Sequence, residues 1–160
     1  MKNISADEYY DLVMNGFHEV TPVEHEDLTI MSEKIFKLQW FNSVHFNSYI
    51  SYTDNLDAEL LLTYISRCRQ LQEKKRNWTA NLMVCNAVVI CEKAGRDAIN
   101  IALMRPRFHL MIDTFPVVAD LKNGEIHYYN GTMYQRLLCN RYERVYIDEH
   151  FGKPLRNLKK

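Results

Sequence analysis

Four ionisable side chains, Asp120, Lys122, Glu125 and His127, flank the dipeptide Asn123-Gly124. Asn-Gly between two strand-like runs is the strongest short hairpin signal in a sequence, because both loop residues of a tight type I′ turn need positive φ. A two-residue loop at Asn123 and Gly124 sets Lys122 opposite Glu125, Asp120 opposite His127 and Val118 opposite Tyr129 on one face, since strand side chains alternate. The other face pairs Leu121 with Ile126 and Ala119 with Tyr128. One side of the hairpin is then apolar, and the other gathers two carboxylates, an ammonium and an imidazole near its tip. Groups of these types can pair across the strands or move a proton.

Asp120 and Lys122 also form an Asp-x-Lys pair on a strand. That spacing resembles metal-dependent nucleases of the restriction-endonuclease type, in which the carboxylate holds a divalent cation and the lysine lies beside the attacked phosphate. The resemblance is three residues long. It implies a further acidic ligand for Mg²⁺, from Glu92, Asp97 or Asp113. The enzyme reading is thus a Mg²⁺-dependent, phosphodiester-cleaving activity using Asp113, Asp120 and Lys122. A plainer chemistry competes with it, because an exposed Lys122–Glu125 cross-strand pair worth ~0.2–1 kcal/mol explains the lysine without catalysis.

Two basic groups could hold an anion. Arg105 and Arg107 flank Pro106, and an extended Arg-x-Arg places both guanidinium groups on one side, where they can grip phosphate or carboxylate. Lys74, Lys75 and Arg76 close a helical stretch just before Trp78, a combination of charge and aromatic ring used by single-stranded nucleic-acid sites and also favoured at a helix C-terminus by the helix dipole. The charge of the chain is split. Residues 1–60 hold three basic and eleven acidic residues, a balance of −8, while residues 61–160 hold 17 basic and 9 acidic, a balance of +8. The first expectation is that the acidic segment packs across the basic one and neutralises it. The other is an exposed basic face that receives an anionic partner or another protein. A net charge of zero speaks against a general nucleic-acid coat.

Several chemistries lack their sequence marks. There is no glycine-rich phosphate loop, no Gly-x-Ser-x-Gly elbow and no His-Glu-x-x-His. His18, His25, His45 and His150 show no paired metal spacing, so no metal or cofactor is called for, and Glu24-His25-Glu26-Asp27 reads as a solvated helix start. The opening residues lack the apolar stretch of a secretory signal and no run approaches a membrane span, which places the chain in the cytoplasm with Cys68, Cys85, Cys91 and Cys139 as reduced thiols. Six residues along one strand would separate Cys85 from Cys91 by ~20 Å, too far for a disulfide or a shared metal.

The elements that must position these groups follow from periodicity. Ser5-Ala6-Asp7-Glu8 has capping-box spacing and opens a short helix that Gly16 can stop. Residues 22–39 stay open between helix and strand: Leu28, Met31, Ile35 and Leu38 recur at helical intervals, whereas Thr29-Ile30-Met31 suits an extended chain. Trp40–Thr53 reads as a strand or a pair, and Leu60, Leu61, Tyr64, Ile65, Cys68 and Leu71 form an amphipathic stripe that makes residues 56–75 a helix. Asn86–Cys91 is an unbroken apolar run, as in a central strand covered on both faces. A short helix over Asp97–Met104, strands over Phe108–Ile112 and Phe115–Lys122, and a last helix opened by Thr132 and ended by Gly152 and Pro154 complete the order.

This order predicts a single α/β (or α+β) domain over residues 1–160: a mixed sheet of about four to five strands, a C-terminal β-hairpin, and helices packed on the sheet. Within it, residues 1–39 form an acidic, mostly helical part, 40–151 the α/β core and 152–160 a basic tail. The leading functional expectation is a soluble binding or regulatory module, with the nuclease-like enzyme as its alternative.

Overall fold

Residues 4–17, 23–25, 27–36, 43–74, 82–106, 108–109, 112–131 and 143–159 are described by a computed structural model. Helix α1 spans Ala6–Asn15, followed by strands β1 (Val23–His25), β2 (Leu28–Phe36) and β3 (Ser43–Leu56). Helix α2 (Ala58–Lys74) leads to β4 (Leu82–Ala94), and α3 (Arg96–Leu103) leads past β5 (Phe108–His109) to β6 (Ile112–Asp120). Strand β7 (Glu125–Tyr128) returns beside β6. A final helical segment, α4, is α-helical over 143–147, π-helical over Asp148–Gly152 and α-helical again over Lys153–Leu158.

The seven strands form one mixed sheet in the order β1-β2-β3-β4-β6-β5, with β7 also on β6. β1, β2 and β3 run antiparallel to one another; β3, β4 and β6 are parallel; β5 and β7 lie antiparallel to β6. Parallel neighbours need crossover connections, and α2 and α3 supply them. Both helices cover the same face, where Leu61, Tyr64, Cys68, Ala98 and Ala102 pack on Tyr49, Cys85, Ala87 and Val118. On the other face α1 and α4 bring Tyr9, Val13, Tyr146, Ile147, Phe151 and Leu155 against Phe46, Ile50, Val84, Val88 and Val117. The domain is therefore a three-layer α/β/α sandwich, and the run from Asn86 to Cys91 is buried because it sits at the centre of both contacts.

The choice left open over residues 22–39 falls to the extended chain among the described residues, as strands β1 and β2. Leu28 and Ile30 enter the α2–α3 core and Met31 enters the α1–α4 core, so a strand buried on both faces produces the same apolar spacing as one face of a helix. The expected basic tail at 152–160 is instead helix, with Pro154, Leu155 and Leu158 buried. Pro154 cannot donate to the carbonyl four residues back, and the helix passes it through the wide π turn, in which the Lys153 N–H bonds the Asp148 carbonyl. The sheet also has more strands than expected, because β1 and β2 both join it.

A polar chain anchors α4 on the sheet. The Asn86 amide donates to Ser48 Oγ at 3.4 Å, Ser48 Oγ lies 3.2 Å from the Tyr146 hydroxyl, and His150 Nε2 lies 3.4 Å from Glu33 Oε2. Tyr9 donates to the Phe151 carbonyl at 2.9 Å. The Tyr146 ring stacks on Phe46 and the His150 ring on Phe17, at 4.5 and 4.3 Å between centroids.

Candidate functional site

The hairpin forms, but in a different register. Asp120 faces Glu125, Ala119 faces Ile126 and Val118 faces His127, two residues away from the pairing set by a two-residue loop. The loop is the four residues Leu121–Gly124, closed by the Gly124 N–H on the Leu121 carbonyl at 3.2 Å, and Gly124 has positive φ, at 59°. Asp120 explains the longer loop. Its carboxylate accepts the Asn123 backbone N–H at 3.3 Å and the Asn123 side-chain amide at 2.8 Å, which wraps the chain around it. Leu121 and Lys122 meanwhile donate their N–H groups to the Cys91 and Glu92 carbonyls, extending the contact with β4 past the last ladder pair. A shift of two residues preserves the face each side chain occupies.

The four-group cluster divides between the interior and the surface. Asp120 is fully buried, Lys122 and Glu125 are exposed, and His127 Nε2 lies 3.8 Å from Glu125 Oε2. Asp113 pairs with Val84 and Phe108 near the start of β6, seven residues or about 23 Å of strand from Asp120. Asp97 lies in the exposed first turn of α3. Among the described residues no set of three or more His, Cys, Asp and Glu side chains gathers in a metal-binding arrangement.

Of the basic candidates, Lys74 ends α2 and Arg105 follows α3; both are exposed, and both helices lead into the starts of parallel strands, at the amino edge of the sheet. Lys75, Arg76 and Arg107 lie outside the described residues. The acidic segment meets the basic remainder at Glu33, close to His150, and at Asp27. Arg67 reaches Asp27 across the divide at 2.7 Å, yet Asp7, Glu8, Asp11, Glu24, Asp27, Asp54, Asp57 and Glu59 all stay exposed. Most of them stand at the carboxyl edge of the parallel strands, where α2 begins, β2 starts and α1 enters. Asp57 has a local task there, accepting the Leu60 N–H at 2.8 Å as the N-cap of α2.

That edge carries a concavity. β3 pairs with β2 as far as Ile50, and its continuation from Ser51 to Leu56 pairs with β4 alone. The gap where β2 would have continued is bordered by the first turn of α1, leaving a cleft of about 440 Å³ lined by Ser5, Ala6, Asp7, Tyr10, Tyr52, Ile90 and Glu92. The carboxyl ends of parallel strands are where open α/β sheets commonly receive ligands, because backbone and loops diverge there. A neighbouring hollow of about 380 Å³ shares Glu92 and adds Asp54, Lys93 and Lys122.

The two tyrosines are held in place by hydrogen bonds. Tyr52 donates to Asp54 Oδ1 at 2.9 Å and approaches Glu92 Oε1 at 3.4 Å. Its phenol is pushed up to about 12, first by desolvation and then by the bond to Asp54 and the charge of Glu92. The Tyr10 hydroxyl lies 2.6 Å from Thr29 Oγ1, which in turn donates to Glu24 at 3.1 Å. Sequence reasoning reached Glu92 alone, as a metal ligand. The cleft comes from α1, β3 and β4, far apart in the chain, and its one sequence signal is the order of strands whose carboxyl ends must share an edge. Comparison of the chain with protein-family models, curated proteins and solved structures gives no match.

Proposed function

We propose that this chain is a binding module that takes its ligand in the carboxyl-edge cleft between α1, β3 and β4. The observation that carries the reading is the cleft itself, about 440 Å³ with two tyrosines, two carboxylates and Ile90 in its wall. Polar and apolar groups share its wall, and a small number of placed polar groups is what orients a ligand in such a site. The separation of Asp113 from Asp120 gives the nuclease-like alternative no comparable support. The test is a ligand-observed NMR screen of small cationic, anionic and neutral fragments against the wild type and Ser5→Trp. Ser5 is exposed at the rim and makes no side-chain cap bond, so the indole fills the mouth at little cost to α1. Fragments should bind the wild type and lose that binding in Ser5→Trp; equal binding by both proteins would contradict the assignment.

A further inference from the structure

We infer that the carboxyl-edge cleft selects an organic cation, an ammonium or guanidinium group on a short apolar stem; the inference rests on the reading of that cleft as the binding site. Its formally charged lining groups, Asp7 and Glu92, are both carboxylates, and Asp54 stands behind Tyr52. Both tyrosine hydroxyls are already engaged, Tyr52 by Asp54 and Glu92 and Tyr10 by Thr29, so the rings remain as wall. One phenolic proton cannot satisfy two carboxylates, and their remaining lone pairs accept charge-assisted bonds from a cationic donor. Tyr52 is 47% exposed, leaving aromatic surface for the same cation and for the apolar stem that carries it. The start of α1 does not reverse this preference, because Asp7 and Glu8 in its first turn offset the helix dipole. A free small amine and the arginine or lysine side chain of a partner protein share this chemistry.

The test titrates the full chain with n-butylammonium, n-butylguanidinium, butyrate and n-butanol, reading backbone amide shifts at residues 5–10, 52–54 and 90–93. Both cations should shift these amides saturably and more tightly than butyrate or butanol. Glu92→Gln should weaken the cations about tenfold, the loss of one charge-assisted bond. Glu149→Gln, an exposed change on α4, should leave them unaffected. An N-acetyl-Gly-Arg-Gly-amide peptide binding more tightly than butylguanidinium supports a protein side chain as the natural source, and equal binding supports a free small molecule. Butyrate or butanol matching the cations at the same amides overturns the cation inference and leaves the binding site standing. No shift at these amides with any probe overturns both.

Discussion

Asp120→Asn tests the turn chemistry that sets the end of β6. The carboxylate is fully buried and accepts two bonds from Asn123, one from the backbone N–H at 3.3 Å and one from the side-chain amide at 2.8 Å. An asparagine at 120 keeps the size and one acceptor, which the backbone N–H can use. Its NH₂ then faces the NH₂ of Asn123, donor against donor. A charge-assisted bond worth ~1.5–3 kcal/mol is lost and a buried donor is left without an acceptor. Asn123 is exposed and can turn its amide to water, which returns part of the loss. The net cost is about 1–2 kcal/mol, and for a domain of this size that lowers Tm by roughly 3–6 °C. Paired thermal and urea melts of wild type, Asp120→Asn, Asn123→Ala and the double variant would measure it, with a coupling of about 1 kcal/mol between the two sites. A Tm for Asp120→Asn within a degree of wild type, or strict additivity, would refute the reasoning and return Asp120 to the status of a carboxylate kept for chemistry.

Gly124→Val should cost about 1–2 kcal/mol, because Gly124 stands at φ 59°, and Gly124→Asn should cost less, asparagine being the side chain that best tolerates that region; equal melts would contradict the turn assignment. Cys68, Cys85 and Cys91 are buried, and burial pushes the Cys68 and Cys91 thiols up to about 12 and raises that of Cys85. A thiol-disulfide reagent at neutral pH should therefore leave all three unlabelled in the native protein and label them after denaturation, as mapped by mass spectrometry. Arg156 grips Asp148 at 2.7 Å and 2.9 Å and holds its carboxyl below the usual range. A depressed folded pKa gives stability that is present above the unfolded value of ~3.9 and is lost as pH falls through the folded one. The pair is 37% exposed on the Asp148 side, so solvent screening limits Asp148→Asn to ~0.2–1 kcal/mol at pH 7, fading toward pH 3 in melts.

The parts of the fold legible in the sequence are those where one physical demand acts alone. The α2 stripe of Leu61, Tyr64 and Cys68 answers only to the single sheet face beneath it, and the run ending at Cys91 only to burial on both sides. β2 was ambiguous because two faces bury alternate residues of one strand, and their sum imitates a helical interval. The hairpin's place is legible and its register is not, since Asn123-Gly124 marks a turn while the side chain of Asp120 decides its length. The charge split reappears as an acidic carboxyl edge, because residues 1–60 supply α1, β1, β2 and β3 and turn their acidic side chains outward there. The cleft was illegible for a different reason: it depends on β3 outrunning β2, a difference in strand length that no local pattern states.

The most direct test of the carboxyl-edge cleft as a site for an organic cation is a crystal structure of the full chain grown with saturating n-butylguanidinium. The account predicts the guanidinium between Asp7 and Glu92, with its stem along the Tyr52 ring. A cation bound elsewhere, with the carboxyl-edge cleft holding only solvent, would contradict it.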